Sequence, residues 1–189
     1  MPKLSRRTAL GAVVAVLGLA ITGGQAMSQT ETVQVQDTEN TLFLDLEYGR
    51  VVIALRPDLA PEHVKRIKEL TRQGFYNGLA FHRVIDGFMA QTGDPLGNGT
   101  GGSGKKLAAE FSREPFVRGT LGMARSREPN SGDSQFFIMF APGSSLNGQY
   151  TVWGRVVSGL EHVDKIKRGE PPRVPDKIIR MQVAADAKG

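Results

Sequence analysis

The segment from residue 81 to residue 91 combines large apolar side chains with a single arginine, Arg83. Asp86-Gly87 at its centre is typical of a tight hairpin turn, which would fold the two arms of the segment against each other. Because side chains alternate along a strand, Met89 and Gln91 would share one face, within reach of Arg83. Gln91 could then orient the guanidinium, a planar hydrogen-bond donor beside an apolar surface. By composition alone the segment also fits an ordinary barrel hairpin with a surface arginine, so the pattern does not by itself define a function.

Residue types that build metal and hydrolytic sites are sparse in this chain. His63, His82 and His162 are widely spaced and there is no cysteine, so the sequence predicts no zinc site. No serine stands in a Gly-x-Ser-x-Gly motif, and no histidine has a context typical of a hydrolytic triad. We therefore predict an activity that uses no metal and no other cofactor.

A glycine-rich stretch, residues 97–106, matches two nucleotide motifs on paper. Its glycines fit G-x-G-x-x-G, and residues 99–105 fit the phosphate loop, although Lys106 stands where a Ser or Thr would bind magnesium. Both motifs need a buried strand before them and a helix after them. A Gly-Asp-Pro turn precedes this stretch, and residues 107–111 are too few for the helix. We predict an exposed loop that binds no nucleotide.

The elements that must position the hairpin can be predicted from periodicity. Alternating apolar residues around the turn at Tyr48-Gly49 indicate a first hairpin, with strands at 41–46 and 51–55. A helix is predicted at 61–72, since Pro61 opens it, an apolar stripe runs along one side and Gly74 follows it.

The rest of the chain reads as short strands between glycines, with Asn147-Gly148 predicted as a second tight hairpin turn. Further strands are predicted at 81–85, 88–92, 119–124, 134–140, 150–157 and 177–184, and a second short helix near 160–167. Eight short strands with two isolated helices favour a mainly β fold, a closed eight-stranded antiparallel β-barrel capped by two α-helices.

The first residues have the pattern of an export signal. Three positive charges precede an apolar run from Ala9 to Ile21, and Gly24-Gln25-Ala26 offers small residues for cleavage. The apolar run is shorter than the roughly 20 residues that span a bilayer, so we predict a cleaved signal at 1–26 and no stable membrane insertion afterwards. A signal retained as a membrane anchor is the alternative. Arg6-Arg7 also resembles a twin-arginine signal, which leaves the Sec and twin-arginine routes both open. We predict a disordered leader at 27–40, a domain at 41–186 and a periplasmic location.

Net charge argues against a nucleic-acid partner. The chain has 24 Lys+Arg and 19 Asp+Glu, but three of the basic residues lie in the predicted signal, so the mature chain carries a formal charge of only +2. Nucleic-acid-binding domains are usually strongly basic. With no cysteine, the fold must be stabilised by packing, although the predicted compartment would permit disulfides.

Several segments resemble, in the same order, signature segments of the cyclophilin family of peptidyl-prolyl cis-trans isomerases. The resemblance extends from about Thr41 to Val183 and is carried by residues 81–85 and 91–94, the glycine loop 97–102, residues 134–138 and, more loosely, residues 146–150. It implies the eight-stranded barrel with two helices that the periodicity predicts independently. It also implies an enzyme that accelerates rotation about Xaa-Pro peptide bonds.

The resemblance assigns roles residue by residue. It implies that Arg83 is catalytic and that Gln91 supports it. The implied substrate-binding residues are Phe88, Met89, Phe137 and Leu146 around the proline, Ala124, Arg125 and Gln135 along the peptide groove, and Tyr150 at a position where many relatives carry histidine.

Three departures from the family pattern bear on binding. Tyrosine keeps a flat face and a polar tip, so we expect Tyr150 to be tolerated. Arg125 replaces a common asparagine and could favour peptides with acidic neighbours. Ser145 stands where cyclosporin-sensitive members carry tryptophan, which argues against strong binding of that drug.

The implied function is to assist folding of exported proteins, with proline-containing polypeptides as partners and the chain acting as a monomer. The competing hypothesis is a proline-peptide-binding chaperone or scaffold with little turnover. The sequence favours the enzyme, because a pure binder has no need of a donor placed at the proline nitrogen.

Overall fold

The computed structural model describes residues 37–187, and within that range the chain folds into eight short strands and two α-helices. The strands are β1 (Thr41–Leu46), β2 (Gly49–Leu55), β3 (Arg83–Ile85), β4 (Met89–Thr92), β5 (Thr120–Met123), β6 (Phe136–Met139), β7 (Val152–Ser158) and β8 (Arg180–Val183). The helices are α1 (Pro61–Arg72) and α2 (Leu160–Val163), and three 3-10 turns lie at Pro129–Ser131, Ser144–Leu146 and Ala184–Asp186. The predicted mainly β architecture is confirmed, with most strands a few residues shorter than predicted.

All eight strands belong to one antiparallel sheet with the order β3-β4-β6-β5-β7-β2-β1-β8. The sheet curls so that its two ends meet, although β3 and β8 do not pair along their own length. The segments just before them bond instead: Phe81 N donates to Asp176 O at 2.9 Å, and Gly78 N donates to Ile178 O at 2.7 Å. This joint lies directly before β3, the strand that carries Arg83.

The main core fills the inside of the curled sheet. Leu42, Leu44 and Leu46 alternate along β1 as the sequence predicts, and all three are buried. Towards the middle, the rings of Phe136 and Trp153 meet edge to face with centroids 5.3 Å apart. Such aromatic packing contributes burial and a defined geometry, so the strands have a firm support from which outward side chains project.

Helix α1 has the predicted bounds, and its buried residues include the predicted stripe of Val64, Ile67 and Leu70. Its first turn has no capping side chain of its own, because Ala60 occupies the N-cap position. The Glu110 carboxylate supplies the cap from far along the chain, accepting the backbone N–H groups of Glu62 at 3.1 Å and His63 at 2.9 Å. A negative charge there also suits the helix dipole.

Helix α2 is shorter than the prediction of 160–167. It ends at Val163, and the chain then turns towards Asp176, whose buried carboxylate accepts Lys167 N at 2.7 Å. The Arg168 guanidinium donates to the carbonyls of Asp164 and Ile166, which lie just after the last residue of α2. Side chains thus satisfy the backbone groups that periodicity assigned to a longer helix.

The two hairpin turns predicted from Asp-Gly and Asn-Gly pairs have different outcomes. Asp86-Gly87 does join two paired strands, β3 and β4, and Gly87 has a φ of 67°. The prediction for Asn147-Gly148 is wrong, because β6 and β7 on either side of it are not neighbours in the sheet. Asn147 follows the 3-10 turn at Ser144–Leu146 instead, within a long connection over the end of the sheet.

The predicted signal at 1–26 lies outside the described residues, and so does the predicted leader except for residues 37–40. Those four residues bond to the domain: Leu55 N donates to Asn40 O at 2.8 Å, and Ala185 N donates to Thr38 O at 3.0 Å. The described domain therefore starts slightly before the predicted residue 41. In residues 37–187 we find no helix long and apolar enough to cross a membrane.

Candidate active site

The β3-β4 hairpin brings Arg83 and Gln91 together, as their alternation predicts. Arg83 lies directly opposite Gln91 in the strand register, and Gln91 lies opposite Phe137 on β6. Because faces alternate, these three side chains share the outer face, while Val84 and Ala90 belong to the main core. The sheet therefore places a guanidinium, an amide and an aromatic ring in one row.

A chain of amide groups links the guanidinium to the glycine loop. Arg83 Nη1 lies 3.5 Å from Gln91 Oε1, a long hydrogen bond, and Gln91 Nε2 donates to Gln135 Oε1 at 2.9 Å. Gln135 Nε2 in turn donates to the carbonyls of Gly99 at 3.0 Å and Gly101 at 2.8 Å. The hydrogen bond to Gln135 thus fixes the amide group of Gln91 with its Oε1 towards Arg83.

A cleft of about 110 Å³ opens beside Arg83. Nine of the ten predicted site residues line it: Arg83, Phe88, Met89, Gln91, Ala124, Arg125, Phe137, Leu146 and Tyr150. Gln135, the tenth, lines an adjoining groove of about 310 Å³. The structure thus brings all the predicted residues to one region, where the guanidinium groups of Arg83 and Arg125 border apolar side chains.

The floor of the cleft belongs to a second apolar cluster, separate from the main core. Met89 and Phe137 form part of it and are only 2% and 5% exposed. Phe137 stacks on Phe116 with ring centroids 5.7 Å apart. Gly122 lies opposite Phe137 in the register of β5 and β6, and its lack of a side chain leaves room for both rings.

The connection from β6 to β7 forms the wall that carries Leu146 and Tyr150. Two bonds to Phe116 fix it: Gly143 N donates to Phe116 O at 2.9 Å, and Phe116 N donates to Asn147 Oδ1 at 2.8 Å. Asn147 therefore anchors this wall, in place of the hairpin turn that its sequence suggested.

Glu170 is a site residue that sequence reasoning missed. Its Oε2 accepts a hydrogen bond from Arg83 Nε at 2.7 Å, and both side chains are about half exposed. Backbone bonds of 2.8 Å in both directions between Gly169 and Val84 hold this loop against β3. No local pattern marks Glu170, which lies 87 residues from Arg83. Sequence reasoning also missed Phe116 and Met139. Met139 lies two residues after Phe137 on β6, so strand alternation indicates that the two side chains share a face.

Arg125 lines the cleft, but its donors are largely occupied. Nε and Nη2 both donate to Gln149 O, at 3.1 and 2.9 Å, and Nη1 donates to the carbonyls of Ser126 at 2.9 Å and Arg127 at 3.2 Å. These bonds use four of the five N–H groups of a guanidinium. These carbonyls leave the positive charge of Arg125 in place, so its attraction for acidic neighbours stays a prediction.

The glycine loop is an exposed loop followed by no helix, as predicted. Two carboxylates hold it from inside: Asp94 accepts the N–H groups of Leu96, Asn98 and Gly99, and Asp133 accepts those of Ser103 and Gly104. Burial acts to raise the pKa of Asp94, but the backbone donors outweigh it and the pKa is lowered. The loop N–H groups that a phosphate would need are thus already bonded to protein carboxylates.

The histidines do not form a reactive centre among the described residues. His82, next to Arg83, is buried, and this burial lowers its pKa although the nearby Asp94 charge acts in the opposite direction. His63 bonds to Glu110 at the start of α1, with Nδ1 and Oε2 2.6 Å apart. Within residues 37–187, no group of three or more His, Asp or Glu side chains is arranged to hold a metal ion.

Comparison with known proteins gives one consistent result. The family model described as cyclophilin type peptidyl-prolyl cis-trans isomerase/CLD matches residues 42–183. A relative named probable peptidyl-prolyl cis-trans isomerase, from Brucella suis, is 56% identical over 180 residues that cover 86% of this chain and 92% of the relative. Peptidyl-prolyl cis-trans isomerase B of Bacillus subtilis is 42% identical over 130 residues, covering 68% of this chain and 90% of the relative.

Solved structures agree with the sequence relatives. A crystal structure of a cyclophilin from Hirschia baltica matches with a TM-score of 0.73 and 28% identity, covering 80% of this chain and 76% of the other. A Cryptosporidium parvum cyclophilin type peptidyl-prolyl cis-trans isomerase, crystallised in the presence of the dipeptide Ala-Pro, matches with a TM-score of 0.70 and 29% identity, covering 76% of this chain and 98% of the other.

Proposed function

The chain belongs to the cyclophilin-type peptidyl-prolyl cis-trans isomerases, and from this premise we propose that its reaction takes place in the cleft beside Arg83, with Arg83 as the catalytic residue. One observation carries this proposal. The cleft holds a guanidinium at the edge of an apolar surface formed largely by Phe88, Met89, Phe137 and Leu146. A proline ring fits an apolar surface of this kind, and the guanidinium lies at its rim.

The energetic demand on such a site is modest. Rotation about a peptide bond has a barrier of about 18–20 kcal/mol because resonance must be broken, and for proline it takes tens of seconds or more. Raising a rate on the order of 10⁻² per second to about 10 to 10³ per second requires roughly 4–7 kcal/mol. No covalent bond changes, so oriented hydrogen bonds and the exclusion of water can supply this stabilisation.

Arg83 is suited to stabilise the twisted transition state. When the peptide bond is twisted, the proline nitrogen regains a lone pair, and a donor aimed at it binds the transition state better than the planar substrate. The dry wall of Met89 and Phe137 would strengthen this hydrogen bond by lowering the local dielectric.

The hydrogen bonds of Arg83 leave one group for the substrate. Nε donates to Glu170 and Nη1 reaches Gln91. Nη2 donates to no residue in the described part of the chain. Glu170 and Gln91 thus fix the guanidinium plane from two sides, and we assign Nη2 to the substrate.

We propose proline-containing polypeptides exported from the cytoplasm as the substrates, and a single chain as the active unit. The Cryptosporidium relative crystallised with Ala-Pro supports the substrate class. The pattern of charge, apolar run and small residues in 1–26 supports export to the periplasm. The ten predicted site residues converge without a residue from a second chain, which supports a single chain as the active unit.

The test of the catalytic role is the cis-to-trans rate of an Xaa-Pro reporter peptide with the parent protein and Arg83→Ala. Loss of one preorganised donor typically costs about 10² to 10³ in rate, so we expect kcat/KM to fall by about that factor. Arg155→Ala is the matched control, because Arg155 is an exposed arginine on β7 outside the cleft. Isomerisation by Arg83→Ala at the parent rate would contradict the proposed role, and a parent that bound the peptide without turnover would support the chaperone alternative.

The export proposal has its own test. The full chain, produced in a Gram-negative host, should be recovered from the periplasm with an N-terminus at Met27. Arg6→Lys with Arg7→Lys should block export if the twin-arginine route is used and leave it unchanged if the Sec route is used. A cytoplasmic protein that still begins at Met1 would refute export.

A further inference from the structure

We propose that Arg125 and Tyr150 act as one unit, a positioning pair that fixes the wall of the cleft, and that Arg125 is not primarily a substrate contact. The inference rests on the proposed function of the cleft. The guanidinium carbon of Arg125 lies 4.5 Å from the centroid of the Tyr150 ring. At this distance the ring face attracts the cation, more strongly where water is partly excluded.

The hydrogen bonds of Arg125 connect two separate segments. Arg125 follows β5 and bonds to the carbonyls of Ser126 and Arg127 in its own segment. Its Nε and Nη2 both donate to the carbonyl of Gln149, the residue before Tyr150, at 3.1 and 2.9 Å. One side chain therefore ties the end of β5 to the end of the wall that carries Tyr150.

Tyr150 transmits this position to the cleft floor. Its ring meets the Phe137 ring edge to face, with centroids 5.9 Å apart and an interplanar angle of 80°. Among residues 37–187 its hydroxyl forms no hydrogen bond, so the ring is held by what packs against it. Arg125 and Phe137 thus both pack against the Tyr150 ring, which connects Arg125 to the predicted proline site.

The contact between Arg125 and Tyr150 also explains how these two departures from the family pattern are compatible with each other. A small amide at position 125 would lack the cation that covers the ring, and histidine at position 150 would offer a different face to Arg125. The two residues present here complement each other as cation and electron-rich ring. Their effects on substrate binding should therefore depend on each other, as expected of residues in contact.

A double-mutant cycle on the full chain tests the pair, with Arg125→Asn, Tyr150→Leu and both together. We expect each single substitution to raise KM for an Xaa-Pro peptide about 3- to 10-fold, with kcat changed far less, because a displaced wall weakens ground state and transition state alike. The double variant should be little worse than either single variant. Arg155→Asn removes the same charge outside the cleft and should leave KM unchanged.

A spectroscopic readout separates positioning from general destabilisation. The Nε–Hε resonance of Arg125 should show a ring-current shift that is lost in Tyr150→Leu and retained in Tyr150→Phe. Additive effects in the cycle, or a KM effect confined to peptides with acidic neighbours, would overturn the inference and make Arg125 an independent substrate contact. The parent rate in the same assay tests the proposed function by itself. A failure of the proposed function can therefore be told apart from a failure of the pairing inference.

Discussion

Gly122→Ala is a sharp test of whether the position of Phe137 matters for the reaction. Gly122 lies on β5 beneath the two stacked rings of Phe116 and Phe137. Its φ lies outside the left-handed region, so alanine is acceptable to the backbone and the substitution adds one methyl group. The perturbation is therefore purely steric and is directed at the cleft floor.

The size of the effect follows from the contacts. A Cβ at this position would lie closest to Phe137 Cζ, and it would lie 2.6 Å from Phe116 Cε1 and 2.8 Å from Phe137 Cε2, whereas ordinary contacts begin at 3.4 Å. The two longer contacts alone require the rings to retreat by roughly 0.6–0.8 Å, and the Phe137 Cζ contact requires more. Phe116 is fully buried, so Phe137 should move into the cleft. Misplacement by about 1 Å can cost about 10²-fold in rate, and we expect kcat/KM to fall about 10- to 100-fold.

The assay combines the isomerisation rate of an Xaa-Pro peptide with chemical denaturation. Overpacking typically costs about 1–3 kcal/mol of stability, so the variant should unfold at lower denaturant but remain folded in buffer. Gly154→Ala is the matched control, because its Cβ would meet Ala54 O and Ile53 Cγ2 at 3.2 Å, away from the cleft. It should lose stability and keep the parent rate. A folded Gly122→Ala protein that isomerises at the parent rate would refute the placement of the reaction over Phe137.

Three further predictions follow from the ionisable groups. Glu170→Ala removes the carboxylate beside Arg83. Since half-exposed ion pairs are worth about 0.2–1 kcal/mol, kcat/KM should fall by up to about fivefold. The control Glu47→Ala should have no effect, and equal rates for the two variants would contradict a positioning role of Glu170. Because burial lowers the pKa of His82, its contribution to stability is complete above pH about 6.5 and declines as pH falls below it. The denaturation midpoint of His82→Asn should therefore change less than that of the parent protein as pH falls below about 6.5. The pKa of Asp94 is lowered despite its burial, by backbone donors, so its contribution is present above pH about 3.9 and is lost as pH falls through the folded pKa. Asp94→Ala should accelerate amide exchange in the glycine loop at neutral pH, and unchanged exchange would show that the carboxylate does not hold the loop.

Much of the site could be predicted from sequence because it is built on one local element. Arg83 and Gln91 lie on the two arms of one hairpin, so strand alternation places them within reach of each other. The three-residue turn from Asp86 to Phe88 then sets the register in which they lie directly opposite each other. Their roles came from the resemblance, since the hairpin pattern by itself also fitted a surface arginine. The helix bounds of α1 were predictable for the same local reason, a proline start and an apolar stripe.

Predictions failed where a distant residue decides the local structure. The turn at Asn147-Gly148 has hairpin chemistry, but the strands around it pair elsewhere in the sheet, and Asn147 bonds to Phe116 instead. Helix α2 stops early because Asp176 and Arg168 take the backbone groups that a longer helix would use. Phe116 lies 31 residues from Asn147, and Asp176 lies nine residues from Lys167, so neither partner is visible in the local pattern.

The sequence by itself determined the type of fold, the family and the hairpin that carries Arg83, because periodicity, turn residues and signature segments are local properties of the chain. Only the tertiary structure decided that Glu170 contacts Arg83 and that Arg125 bonds to Gln149, the residue before Tyr150. These contacts join residues that are 87 and 24 positions apart. The first exists because backbone bonds between Gly169 and Val84 hold the loop of Glu170 against β3. The second exists because β5 and β7 are neighbours in the sheet, which brings the chain after β5 close to the chain before β7.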